Sequence, residues 1–109
     1  MSNTDLKNYI GGAWISSDTQ EYCEVQNPAT GQAITRVPLS SFEQTDQAVA
    51  AARGAFPQWS AMPVSRRSEL LFKLVERLRH NSNELARLIS EENGKSLPDS
   101  QAEGKRALE

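Results

Sequence analysis

An abrupt change of texture near residue 39 constrains this chain most. Before Pro38 the sequence is broken by glycines and prolines, with short β-type runs between them; after Ser40 it is rich in Ala, Leu, Glu and Arg. Strands that short are not stable alone in water, so they need a surface to lie on. The expected fold class is therefore α/β: short β-strands over about residues 8–39, then three or four α-helices over about residues 40–109. With 109 residues, roughly two-thirds of the unfolded surface would be buried, which makes a modest core.

The first half reads as ribbons. Asn8-Tyr9-Ile10, Gly11-Gly12 and Ala13-Trp14-Ile15 form a β-hairpin pattern, because a Gly-Gly pair takes the positive φ of a primed turn. A strand is expected over Glu21–Val25 and another over Ile34–Leu39. Asn27-Pro28-Ala29-Thr30-Gly31 between them is a turn in which Pro28 fixes φ and Gly31 allows the left-handed conformation.

The second half reads as helices. Ser40 and Glu43 form a capping box, followed by Val49, Ala52 and Phe56 on one stripe, with Gly54 and Pro57 ending that helix. Leu71, Leu74, Val75 and Leu78 make an amphipathic face, with Glu69 and Lys73 paired on the exposed side. Asn81 and Glu84 suggest a new cap, and Leu85, Leu88 and Ile89 carry the apolar face to a stop at Asn93-Gly94. A last helix starts near Ser96, with Pro98 in its first turn and Asp99 at the capping-box position.

Charge and composition exclude several classes. Net charge is −2, from 12 basic and 14 acidic side chains, which argues against a general nucleic-acid binder and gives no reason to invoke an anionic membrane. No apolar run approaches the ~20 residues of a transmembrane helix. Met1 to Asp5 lack the basic and apolar parts of a signal peptide, so the expected compartment is the cytoplasm. One cysteine and one histidine make neither an internal disulfide nor a zinc set.

The residues assemble no active site by themselves. Cys23 sits in a β-type run with no basic or histidine neighbour to lower its pKa, and is expected to be a small buried side chain. His80 reads as a solvated or helix-capping group. Glu91 and Glu92 are adjacent, about 100° apart on a helix, and do not converge as an acid/base pair. Asn93-Gly94-Lys95 reads as a helix C-cap, since the full phosphate-loop pattern is missing. Arg66-Arg67 read as a solvated basic turn, with an anion grip as the alternative, and Trp14 and Trp59 as packing residues. Lys105-Arg106 is expected to face solvent.

The order of these signals resembles the opening of the NAD(P)-dependent aldehyde dehydrogenases. The resemblance rests on Asn8 through Trp14, Val25-Gln26-Asn27-Pro28-Ala29-Thr30-Gly31, Val37-Pro38, Ala50 through Phe56 with Trp59, and Leu85-Ala86 through Glu92-Asn93-Gly94-Lys95. It runs in register from residue 7 to 109. Within that superfamily the chain is most similar to the CoA-acylating methylmalonate-semialdehyde dehydrogenases, through Val37-Pro38-Leu39-Ser40, Pro63-Val64-Ser65-Arg66-Arg67 leading into Leu71-Phe72-Lys73, and Glu92 through Leu97.

That resemblance implies an incomplete domain, the front part of an NAD-dependent semialdehyde oxidation enzyme. Semialdehyde and CoA would be substrates, the parent enzymes would be homo-oligomers, and the remainder of the chain or a second chain would be the partner. It also implies a carboxylate-binding role for Arg106, whose guanidinium offers paired donors to a planar anion. Glu92 matches the carboxylate of a monovalent-cation position. The thiol nucleophile, activating glutamate, oxyanion asparagine and glycine-containing NAD turn of the family lie in downstream segments. No catalytic and no NAD-binding residue is therefore expected here, and the 109 residues alone are expected to be inactive and marginally stable. The alternative is a non-catalytic helical module, or a split-enzyme subunit, that associates with a second chain.

Overall fold

The hairpin, the second ribbon and the helical half all form in a computed structural model that describes residues 5–109. The leader reading of Met1 to Thr4 lies outside the described residues. The element order is β1 (Asn8–Ile10), β2 (Ala13–Ile15), β3 (Tyr22–Gln26), β4 (Ala33–Pro38), α1 (Phe42–Ala61), α2 (Val64–His80), α3 (Ser82–Asn93) and α4 (Leu97–Arg106). β1 pairs antiparallel with β2, setting Tyr9 against Trp14, and β3 pairs antiparallel with β4, setting Cys23 against Val37. Gly11 and Gly12 take φ of +60° and +83°, as a primed turn demands. The chain divides into two compact units, one of residues 1–26 and 33–61 and the other of Asn27–Gln32 and Met62–Glu109.

In the first unit, α1 is tied to β1 through polar groups. Gln44 is only 5% exposed. Its Oε1 accepts from Asn8 Nδ2 at 3.0 Å and from Ser17 Oγ at 2.9 Å, while its Nε2 donates to the Ser16 carbonyl at 3.2 Å. Asn8 Nδ2 also donates to Ser40 Oγ at 2.7 Å. A buried amide that makes all these bonds costs little to bury, whereas one stripped of them would be expensive.

The α1 cap falls one residue later than the sequence pattern suggests. Ser41 Oγ, not Ser40 Oγ, accepts the Gln44 N–H at 3.1 Å, because Ser40 Oγ is engaged by Asn8. Nor does α1 stop at Gly54 and Pro57; it runs on to Ala61. Pro57 lies inside the helix, where it removes one backbone donor. The helix ends where Pro63 disfavours the α region at Met62.

In the second unit, α3 and α4 pack closely. Ala86 is 1% exposed and Ser100 is fully buried. Small residues at these positions let the two helices approach. Gly94 ends α3 with φ of +71° and donates its N–H to the Ser90 carbonyl at 2.9 Å, as the C-cap pattern predicts. Ser96 caps α4, accepting the Asp99 N–H at 3.3 Å and donating to Asp99 Oδ2 at 2.7 Å. The Asn27–Gln32 turn belongs to this unit, with the Gly31 and Asn27 backbone joined at 2.8 Å.

Some expected partners change. Glu69 pairs with Arg66 at 2.5 Å rather than with Lys73. Asn81 does not cap α3; its Nδ2 donates back to the Arg77 carbonyl at 2.8 Å, closing α2 instead. Trp14 is 68% exposed and rests against the Tyr9 ring, with centroids 5.0 Å apart; Trp59 is 38% exposed. Neither tryptophan is a core residue among the described residues.

Candidate functional site

Cys23 lies exposed on β3, opposite Val37, which is also exposed, so nothing covers that spot among the described residues. This corrects the expectation of a buried side chain. The burial argument treated the residue type, but the outer face of a two-stranded ribbon has no layer above it. Cys23 Sγ donates weakly to the Glu24 carbonyl at 3.8 Å. His80 stands exposed at the end of α2, beside Arg77 and Arg79.

Glu92, Gly94 and Lys95 lie at the α3–α4 junction, and Arg106 lies at the other end of α4. Glu92 is exposed in the last turn of α3, two residues before the Gly94 cap. Among the described residues no three metal-capable side chains cluster, so any cation held by Glu92 would need ligands from other groups. Gly94 is pressed against the proline of the neighbouring turn: a Cβ built on it would lie 2.9 Å from Pro28 Cγ. Lys95 then bridges across to Glu103 on α4. That hydrogen bond, with the Lys95 charge and a smaller pull from Arg106, holds the Glu103 carboxyl below its usual range.

Arg106 occupies the last turn of α4 and is exposed. Its positive charge suits a helix C-terminus. A groove of about 370 Å³ runs beside it, lined by Arg79, Ser82, Asn83, Gln101, Gly104, Lys105 and Leu108. It is Lys105, not Arg106, that faces this groove.

The residues present do not make a dinucleotide cradle. The named strands pair antiparallel, and the parallel bridge of Asp5 with Arg36 has no helix between parallel strands, so there is no parallel strand–helix–strand unit among the described residues. The N-termini of α1 and α4 are already engaged by Ser41 and Ser96 from their own chain segments. No helix among the described residues is long and apolar enough to cross a membrane.

Residues 14–109 match the sequence profile described as the aldehyde dehydrogenase family. The chain belongs to that family. Aldehyde dehydrogenase relatives match it over nearly its whole length. Malonate-semialdehyde dehydrogenase 1 of Geobacillus kaustophilus (strain HTA426) is 45% identical over 106 residues, covering 97% of this chain and 22% of that protein. The crystal structure of lactaldehyde dehydrogenase from Escherichia coli superposes with a TM-score of 0.93 at 30% identity, covering 96% of this chain and 22% of the other. A Sinorhizobium meliloti 1021 chain crystallised with NAD, under the name methylmalonate-semialdehyde dehydrogenase, superposes with a TM-score of 0.90 at 34% identity over 95% of this chain and 21% of its own. The chain thus spans about a fifth of the length of the aldehyde dehydrogenases it matches. It corresponds to the N-terminal part of their fold, strands first and helices after.

Two features were not legible in the residue order. Gln44 has no apolar pattern to mark it as buried, and its role depends on Asn8 and Ser17 arriving from distant positions. The bidentate pair of Arg36 with Asp5, at 2.6 and 2.8 Å, spans 31 residues of sequence and carries no local signal.

Proposed function

We propose that this chain is the N-terminal part of a CoA-acylating malonate or methylmalonate semialdehyde dehydrogenase. Such an enzyme turns a semialdehyde, NAD and CoA into an acyl-CoA, reduced NAD and carbon dioxide. One observation carries the substrate class: identity is 45% to a protein named malonate-semialdehyde dehydrogenase, against 30% to the lactaldehyde dehydrogenase of Escherichia coli. In this reading the described residues are scaffold. Arg106 offers its guanidinium to the substrate carboxylate, Glu92 supplies one oxygen to a monovalent cation, and the reactive thiol and NAD cradle come from the remaining four-fifths of the enzyme. The working enzyme is cytoplasmic.

The second reading is a helical module, or a split-enzyme subunit, that associates with another chain. It is favoured by the apolar side chains left in solvent, Phe42 at 83% and Phe72 at 72% exposed among them.

A chimera separates the two readings. Residues 7–109 would replace the matching segment of the Geobacillus kaustophilus enzyme, and NADH formation would be followed with malonate semialdehyde and CoA. Turnover close to the parent enzyme's is expected. A well-folded chimera that is silent, or that prefers lactaldehyde, would reject the dehydrogenase assignment.

A further inference from the structure

Lys95 is the single residue between the stop of α3 and the cap of α4. Both of its neighbours are fixed. Gly94 sits in the left-handed region with its N–H on the Ser90 carbonyl, and Ser96 Oγ accepts the Asp99 N–H. The Lys95 side chain therefore leaves from a set point, and its Nζ donates to Glu103 Oε2, about two turns into α4. Glu103 has a second cation within reach. Arg106 follows it by three positions on the same helix, the spacing at which an acidic and a basic side chain pair. Among the described residues, however, the ion pair of Glu103 is with Lys95, and Arg106 has none.

We propose that Lys95 is a positioning residue for Arg106: by binding Glu103 it keeps that carboxylate off the guanidinium and leaves Arg106 free for the carboxylate of the semialdehyde. The inference rests on the substrate role proposed above for Arg106. A guanidinium paired with an internal carboxylate has its forked donors occupied and its charge balanced, so it offers little to a substrate anion. A glutamate released beside it would also repel the substrate's own carboxylate. With Lys95 in place the Lys95–Glu103 pair carries no net charge, and both effects are absent. The balance of forces on Glu103 agrees: its carboxyl is held down chiefly by Lys95 and less by Arg106.

The chimera carrying residues 7–109 tests it, with KM read for malonate semialdehyde and for an uncharged aldehyde. Lys95→Met should raise KM for the semialdehyde about two- to fivefold, less than Arg106→Ala does, while the uncharged aldehyde is used as before. Lys95→Arg, which keeps a cation for Glu103, should keep the low KM. Adding Glu103→Gln to Lys95→Met should bring KM back, since no carboxylate is left there to capture Arg106. If Arg106→Ala is selective for the semialdehyde and Lys95→Met has no effect, the inference is overturned and the dehydrogenase reading stands. An equal rise for both aldehydes, or no rescue by Glu103→Gln, would make Lys95 a structural clamp and overturn it as well. A silent chimera, or an Arg106→Ala variant with no selective effect, would remove the substrate role of Arg106 and the inference with it.

Discussion

Ser90 Oγ and Ser100 Oγ lie 2.8 Å apart, and this hydrogen bond joins α3 to α4 at a point where Ser100 has no solvent exposure. The site has room for a hydroxyl and nothing larger. Ser100→Ala should cost about 1 kcal/mol, since Ser90 can turn toward water. Ser100→Leu should cost about 3 kcal/mol or more by overpacking the contact. Urea unfolding followed by circular dichroism measures both, and equal midpoints for the two variants would contradict this packing account.

Gly94 carries a double constraint. Its φ of +71° penalises any side chain, and a Cβ would meet Pro28 Cγ at 2.9 Å. Gly94→Ala should therefore lose about 1–2 kcal/mol from the backbone alone, plus a further loss from the clash. Pro28→Ala should recover the second part and leave the first. A double-mutant cycle reads the difference, and strict additivity would mean that the two residues do not touch.

Gln44 should be costly to replace. Gln44→Leu leaves Asn8 Nδ2 with Ser40 alone, and removes a partner from Ser17 and from the Ser16 carbonyl. A loss of about 2–3 kcal/mol is expected. Gln44→Glu, which keeps the acceptor but sets a buried carboxylate oxygen against the Ser16 carbonyl, should lose at least as much near neutral pH.

Acid should destabilise the fold through two exposed carboxylates. Asp18 is lowered from its ordinary 3.8, chiefly by the hydroxyl of Ser41, and Glu103 is lowered from 4.5, chiefly by the hydrogen bond from Lys95. A depressed folded-state pKa adds stability above the unfolded value and loses it as pH falls through the folded value. Stability should thus be flat near neutrality and decline from about pH 4.5 downward. Asp18→Asn and Glu103→Gln together should flatten that decline; an unchanged acid limb would show that these pairs do not operate in solution.

Arg106 has an activity prediction that depends on the proposed function. In the chimera, Arg106→Ala should raise KM for malonate semialdehyde about tenfold or more, while an uncharged aldehyde is used as before. Arg106→Lys should recover part of the loss. An equal effect on both aldehydes would assign Arg106 to the scaffold.

Much of the fold can be read from local sequence, because its signals are local. The Gly11-Gly12 hairpin, the Gly31 turn, the Gly94 stop and the Ser96–Asp99 cap each depend on residues within a few positions. The failures are of two kinds. Competing partners decide the cap of α1, where Asn8 takes Ser40 and leaves Ser41 for the helix, and the pairing of Glu69 with Arg66. Missing layers decide Cys23, Trp14 and Trp59: the residue types suggest burial, but burial needs a neighbouring surface that residue order does not reveal. Arg106 and Glu92 are proposed as site residues through family resemblance alone, and neither is marked by burial, since both are exposed.

Arg36 grips Asp5 with two hydrogen bonds, accepts the Leu6 N–H on its carbonyl at 2.9 Å, and lays its guanidinium 4.8 Å from the Tyr22 ring centroid. The free border of β4 is thereby occupied at Arg36 by the chain's own incoming segment. Stacking of ribbons into fibrils needs a bare strand border, so that route of growth is obstructed at this point of the flank.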